Sequence, residues 1–147
     1  MQFGSIDGAA LGQGVLATVL YFVVGFVVLG LGFLALDAVT PGNLRHQVYT
    51  LRNPNAAILL AANHLALAVI VVTAILTSDD ALGQGLVDSA VYGVIGVVLQ
   101  AVALRLLDAF VPGHLRNMVN EPQMSGAAWA VGASLLSIGV VNAAALS

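Results

Sequence analysis

Long stretches without a charged residue constrain this chain more than any other feature of its sequence. No Asp, Glu, Lys or Arg occurs from Gly8 to Leu36, or from Asn53 to Ser78. About 20 apolar residues in a helix are enough to cross the hydrocarbon core of a bilayer. Each of these two stretches is therefore long enough to form a transmembrane helix.

The second half of the chain predicts two more helices. Asp88 and Arg105 enclose a shorter uncharged stretch, so we expect Arg105 to extend to one interface or to pair there. No basic residue precedes the first apolar run, and the run is too long for a signal peptide, so a retained helix is expected. The predicted spans are roughly Val15–Val39, Asn55–Leu76, Leu86–Val111 and Ser125–Leu146.

The composition agrees with a membrane protein. Of 147 residues, 60% are hydrophobic and 7% are charged, against about 25% charged residues in a soluble domain. The net charge of -3 argues against nucleic acid as a partner. The chain has no Cys, which excludes disulfides, thiolate metal sites and thiol nucleophiles. We predict an all-α polytopic protein that forms a single membrane domain over residues 1–147, with the lipid bilayer as its main partner.

The four arginines predict the orientation in the membrane. Arg45, Arg52 and Arg116 lie in the loops that follow the first and third helices, and Arg105 lies towards the same end. Four acids and no basic residue lie at the opposite end. By the positive-inside rule, both loops are cytoplasmic and both termini are outside the inner (plasma) membrane. The acids are Asp7, Asp79, Asp80 and Asp88.

The chain contains an internal repeat with an offset of 71 residues. Residues 37–45 and 108–116 share Asp, Ala, Pro, Gly, Leu and Arg at equivalent positions, and Tyr21 matches Tyr92. Each copy, about 12–76 and 83–146, holds two spans, so the copies are expected to be parallel hairpins related by an axis along the membrane normal. Pro-Gly ends each first helix, and apolar spacing after it predicts a short interfacial helix in each loop.

These features resemble a bacterial family, the domain-of-unknown-function family 350, or YjfL-like small membrane proteins. The resemblance rests on the two tandem hairpins, the Asp-x-x-x-Pro-Gly segments and the Gly-Val-Val-Asn-Ala-Ala sequence of the last helix. The chain has Pro54-Asn55 where the family usually has Gly-Asn. The resemblance implies an envelope-stress setting, with phage-shock-A-like or aminopropyltransferase-like proteins as possible partners. It implies no catalytic residues.

Intramembrane polar residues are the first set of candidate site residues. His64 lies near the predicted midplane, where an ionisable group is a functional candidate. We weigh a neutral imidazole bonded to a neighbour such as Gln100 above a proton relay, and both above haem ligation. No cofactor and no metal are expected. The intramembrane candidates are His64, Asn63, Gln100 and Asn142.

A cluster of charged residues at the cytoplasmic end is the second set. Asp108 is three residues after Arg105 and shares its helix face, so the two can pair. If the copies are related by a two-fold axis, Arg105 can also bridge to Asp37. The alternative is that each group extends separately into the headgroups. Together the members of the predicted cluster are Asp37, Arg105, Asp108, Arg45 and Arg116.

Two classes of function fit this sequence. No nucleophile–base pair, phosphate loop or metal-ligand cluster is found, so no enzyme is predicted. The first class is a non-catalytic membrane module that forms homo-oligomers and anchors or senses partners. The second is an oligomeric channel or carrier for protons, small ions or polyamines, with its pathway between protomers.

Overall fold

The computed structural model describes residues 8–40, 42–110 and 114–146, and it confirms the all-α fold. Four of its helices are long and apolar enough to cross a membrane. They are α1 (Gly8–Val39), α2 (Pro54–Leu76), α3 (Leu82–Phe110) and α5 (Gly126–Ala144), and a short α4 (His114–Asn120) and a π-helical turn (His46–Thr50) lie in the loops. Asp7, Pro41, Val111, Pro112, Gly113 and Ser147 lie outside the described residues.

Local side-chain chemistry explains where the helices begin. Asn53 caps α2 by accepting hydrogen bonds from the next turn, and Pro54 occupies the first position, where a missing N–H costs nothing. Ser125 caps α5 in the same way. The third helix begins at Leu82, before its predicted start at Leu86, and in its first turns Gln84 Nε2 donates to Asp88 Oδ1 across 2.7 Å.

Contacts at glycines define the direction of each helix pair. In α1 and α3, Tyr21 contacts Gly85 and Val28 contacts Gly93, so these two helices run in the same direction. In α2 and α5, contacts of Ala62 with Gly132 and of Ala66 with Gly139 give the same result. The close approach follows from the missing Cβ, since a Cβ at Gly139 would lie 2.5 Å from that of Ala66. Within each hairpin the two long helices run in opposite directions.

The helices pack as a four-membered arrangement in which α2 and α3 lie between α1 and α5. In the most apolar segment of α1 only 17% of residues are buried, compared with 44% in α2. Two apolar cores fill the interior. One, centred on Leu59, Leu104 and Leu135, lies towards the loops. The other, centred on Val28 and Ile70, lies towards the α2–α3 connector.

The packing does not show the two-fold axis expected from the repeat. An axis that exchanges α1 with α3 would pack Tyr92 on α1 as Tyr21 is packed on α3. Tyr21 contacts Gly85, whereas Tyr92 is 44% exposed. The two hairpins therefore pack side by side, but equivalent faces of α1 and α3 do not make equivalent contacts. That the two halves are copies of one repeat remains a prediction from the sequence.

Candidate functional site

The two loops carry the same aspartate hydrogen bond. Asp37 Oδ1 accepts from the backbone N–H of Leu44 at 2.7 Å, and Asp108 Oδ1 accepts from that of Leu115 at 2.7 Å. Both leucines are buried in the core near the loops. Each carboxylate thus fixes the chain just after its own turn and holds a leucine in the bundle. We call residues 42–53 and 114–125 together the loop end of the protein.

The predicted charge cluster is not formed at the loop end. Arg105 is exposed, and no carboxylate among residues 8–40, 42–110 and 114–146 lies within salt-bridge distance of it. Asp108 Oδ2 is instead 3.7 Å from Nδ1 of the largely exposed His114. Asp37 and Asp108 each bond to a nearby backbone N–H, which requires less ordering than a ring of long side chains. Arg45 and Arg116 are exposed and make no ion pair within the described chain.

Two asparagines that the sequence analysis did not select hold the loop end together. Asn53 Nδ2 donates to the carbonyls of Val119 and Glu121. Asn55 is fully buried, and its Nδ2 donates to carbonyls of the second loop while its Oδ1 accepts from Ser125 N at 2.8 Å. The carbonyl partners of Asn55 are those of Met118, Glu121 and Gln123, at 2.8 to 3.1 Å.

The roles of Asn53 and Asn55 can be predicted only in part from the sequence. Asn53-Pro54 at the start of an apolar run predicts a helix cap, because Asn accepts from the first turn and Pro suits its first position. Nothing local shows that Nδ2 of Asn53 and Asn55 would reach the other loop. A third link, from Gln47 Nε2 to Asn120 Oδ1 at 2.9 Å, lies on the surface. These bonds make one connected polar surface of two loops that are distant in sequence.

His64 is placed differently from the expectation. Its Nδ1 lies 3.0 Å from the carbonyl oxygen of Leu60, one turn earlier in α2, and its ring meets Phe33 edge-on with centroids 6.1 Å apart. A carbonyl only accepts, so Nδ1 carries the proton in this arrangement. Gln100 is not its partner, because Gln100 Nε2 donates to Leu135 O at 3.0 Å. The bond within α2 gives Nδ1 of the imidazole a partner without a second helix.

The other intramembrane candidates are buried but incompletely hydrogen-bonded. Gln100 Oε1 and Asn142 Nδ2 are buried and have no partner within the part of the chain that is described. Asn63 and Gln100 line the same small cavity between α1, α2 and α3, with a volume of about 10 Å³. A single water molecule needs roughly 10–15 Å³, so the cavity is at the lower limit for one. The structure therefore brings Asn63 and Gln100 together and leaves His64 and Asn142 apart from them.

A wide open groove lies where α1 meets the first loop. Its volume is about 1190 Å³. Its helical wall is formed by Gly30, Phe33 and Leu34, and its loop wall includes Arg45 and Tyr49. It opens at the surface, so it is a groove along the outside of the bundle and not a passage through it.

Four apolar helices of membrane-spanning length, joined by loops that form a polar surface, define a small polytopic membrane protein. The chain matches the family described as Domain of Unknown Function (DUF350) over residues 10–146, and it belongs to that family. It is 45% identical to a UPF0719 transmembrane protein of Mycolicibacterium paratuberculosis and 46% identical to one of Mycobacterium bovis. Both alignments cover 100% of this chain and 97% of the relative. No solved structure matches.

Proposed function

We propose that this protein is a non-catalytic membrane module that forms homo-oligomers and presents its loop end as a docking platform for a partner protein. The observation that carries the proposal is the set of hydrogen bonds from Asn53 and Asn55 to the second loop. Two short loops need no such links merely to connect helices. A surface held in one conformation binds a partner with less loss of conformational entropy.

The charges on the platform favour an acidic partner. Arg45, Arg52 and Arg116 are exposed there, and they are three of the four arginines in the chain. Tyr49 is 70% exposed beside them. Tyr and Arg are the side chains that most often dominate binding energy at protein interfaces. Complementary charge on a partner would speed its association with this surface.

The proposal places the loop end in the cytoplasm, with both termini outside. The arginines of the loops and the acids Asp79 and Asp80 of the connector support this orientation. Alkaline phosphatase fused after Leu146 should be active in a bacterial host, whereas phosphatase inserted after Asn43 should be inactive. The reverse pattern would refute the orientation.

The cellular setting is proposed from family resemblance alone. It suggests envelope stress at the inner membrane, with phage-shock-A-like or aminopropyltransferase-like proteins as the partners. The names of the relatives describe transmembrane proteins and give no activity.

Site-specific photocrosslinking in cells tests the platform. A photoreactive amino acid at Tyr49 should yield one recurrent adduct with another protein, which mass spectrometry identifies. Phe26 is the matched control, because it is an aromatic residue of similar exposure, 68%, in the middle of α1. Asn55→Leu should abolish the Tyr49 adduct by releasing the loops. Adducts with lipid alone at Tyr49, or equal adducts at both positions, would contradict the proposal.

Two buried polar atoms of α3 and α5, which have no partner among residues 8–40, 42–110 and 114–146, favour a second candidate, an oligomeric conduit for protons, small ions or polyamines. Gln100 Oε1 and Asn142 Nδ2 are the kind of groups that line a hydrated pathway. Proteoliposomes that contain the purified protein should then pass one of these species faster than empty vesicles, and His64→Leu should alter the flux while preserving assembly. Absence of flux for all of them would exclude the conduit.

A further inference from the structure

The groove between α1 and the first loop has an apolar half and a polar half. Its apolar wall is formed by Gly30, Phe33 and Leu34 of α1. Its volume of about 1190 Å³ exceeds the roughly 300–1,000 Å³ of pockets for drug-sized molecules. The groove therefore has room for a large ligand with one polar and one apolar end. The polar half is lined by Asp37, Asn43, Arg45, His46, Tyr49 and Thr50.

The polar half lies at the height at which lipid headgroups begin. At the other end of the bundle, Tyr21 Oη lies 3.4 Å from Ser78 Oγ, just before the acids of the α2–α3 connector. Asp37 is sixteen residues after Tyr21 in α1, a rise of roughly 24 Å, and the hydrocarbon core of a bilayer is about 30 Å thick. Gly30 is one to two turns closer to the centre. The apolar wall thus lies in the hydrocarbon and the charged residues lie at its edge.

Two opposite charges line the groove without bonding to each other. One carboxylate oxygen of Asp37 accepts the loop hydrogen bond, and neither Asp37 nor Arg45 makes an ion pair within the described part of the chain. In the second loop, the equivalent Asp108 has the imidazole of His114 3.7 Å away. The uncharged Asn43 occupies the position equivalent to His114. The groove therefore offers one anion and one cation to a ligand that carries both charges.

We propose that this groove binds a phosphatidylethanolamine molecule of the bilayer, with its headgroup between Asp37 and Arg45. The lipid phosphate pairs with the Arg45 guanidinium, which suits phosphate oxygens. The primary ammonium of ethanolamine has three N–H donors, as that of Lys has, and donates to Asp37 Oδ2. One acyl chain lies along the apolar wall. This site is separate from the docking of a partner protein and does not depend on it.

The charges, and not the apolar wall, select this lipid. Exposed apolar side chains suit the tail of any lipid. Phosphatidylglycerol would bring a negative charge close to Asp37 without a cation to offset it, and phosphatidylcholine has no N–H to donate. The groove between α1 and α3 provides a contrast, because Arg105 borders it and its other described lining residues are apolar. A headgroup there meets a cation alone.

Quenching of tryptophan fluorescence by brominated lipids tests the proposal. Phe33→Trp/Trp129→Phe places the single tryptophan of the chain in the groove. The full chain is reconstituted in equal parts of phosphatidylethanolamine, phosphatidylglycerol and phosphatidylcholine, with one lipid brominated at a time. The relative binding constant should favour phosphatidylethanolamine about threefold, the effect expected of a partly exposed ion pair. Phe26→Trp/Trp129→Phe is the control, because Phe26 is exposed one turn outside the groove, and all three lipids should quench it equally.

Charge variants in the groove have matched controls in the second loop. Asp37→Asn keeps an acceptor for the loop hydrogen bond but removes the charge, so the preference should change to phosphatidylglycerol. Arg45→Gln should weaken the binding of both lipids by about threefold. The equivalent variants Asp108→Asn and Arg116→Gln, at positions that do not line the groove, should leave the preference unchanged.

Native mass spectrometry of the unaltered chain gives a measurement that needs no tryptophan variant. Phosphatidylethanolamine should be the main lipid retained from the mixed vesicles, and Asp37→Asn should remove this selectivity. Equal quenching by the three lipids at the Phe33 position would show ordinary boundary lipid and overturn the proposal. Absence of quenching there by any lipid would show that protein covers the groove, which would also overturn it. The docking platform is tested separately through Tyr49.

Discussion

The two halves of the protein are alike at their loops and unlike along their helices. Asp37 and Asp108 each accept from an N–H seven residues later, at the same distance of 2.7 Å. Tyr21 and Tyr92 occupy equivalent positions, yet one is packed on a glycine and the other is 44% exposed. The difference shows which structural features are reproduced when a sequence is repeated. A hydrogen bond over seven residues depends on local chemistry, whereas the contacts of a helix face depend on which neighbour is present.

The largest expected effect comes from Asn55, which links the two halves. Asn55→Leu keeps the side-chain volume but removes four hydrogen bonds. Ser125 N and the carbonyl of Gln123 lose their partner, while the carbonyls of Met118 and Glu121 each keep one other donor. Each buried polar group left unsatisfied costs about 1–3 kcal/mol, so we expect a loss of roughly 3 kcal/mol or more in the free energy of unfolding. Denaturation in mixed micelles, followed by the fluorescence of Trp129, measures it. Asn120→Leu, at an exposed position with one side-chain bond, is the control. Equal midpoints for the two variants would show that the halves are held by helix packing alone.

The fold was largely predictable, because a helix that spans a membrane must be apolar along most of its length and can therefore be recognised in the sequence. The long uncharged runs predicted four helices, and α2 begins within one residue of its predicted start, Asn55. The order of the helices around the bundle was not predictable. It depends on contacts such as that of Ala66 with Gly139, and nothing in the sequence pairs those two positions.

The next test concerns the feature that the halves share. Asp37→Ala and Asp108→Ala should each lower the free energy of unfolding by about 1.5–3 kcal/mol, the usual worth of a hydrogen bond to a charged group. The two losses should agree, because both carboxylates hold a buried leucine in the same way. Asp37→Asn, which retains an acceptor, should recover most of the stability. A loss of stability at only one of the two positions would show that the two aspartates do not play the same role in their loops.

A third test concerns the feature in which the halves differ. In Gly85→Ala the new Cβ would lie 2.6 Å from the backbone oxygen of Asp79 and collide with the Tyr21 side chain. Overpacking of this kind costs about 1–3 kcal/mol. Gly14→Ala, at the equivalent position of α1, should be neutral within about 0.5 kcal/mol, because its Cβ meets nothing within 4 Å. Chemical denaturation of the two variants in the same detergent compares them. Similar losses at both glycines would mean that Gly14 is already covered in the protein as purified.

The candidate site was predicted less well than the fold, because the distance along the chain between hydrogen-bond partners was not known in advance. His64 and Gln100 were expected to share a bond because they lie at similar depth. Depth does not fix the side of a helix, and His64 finds an acceptor one turn away, at Leu60. Asn53 and Asn55 were missed for the opposite reason, since their partners lie more than sixty residues along the chain. Local sequence shows that an amide is present at a helix start without showing what it reaches.

The smallest expected effect belongs to Arg105, for which the sequence offered either a bridge between the halves or a separate solvated charge. A bridge that joined Asp37 to Asp108 would make Arg105→Ala severely destabilising, by roughly 3–5 kcal/mol for a desolvated pair. Arg105 is exposed and borders the apolar side chains of Ala35 and Val102 instead. A long side chain in such a place can cover apolar surface with its aliphatic stem while its guanidinium stays in a polar environment. We therefore expect Arg105→Ala to change the free energy of unfolding by less than about 1 kcal/mol. Adding Asp108→Asn should give a simple sum of the two single effects, because the residues share no bond. Rescue of Arg105→Ala by Asp108→Asn in denaturation experiments would support the bridge, and with it a link between the halves in addition to those made by Asn53, Asn55 and Gln47.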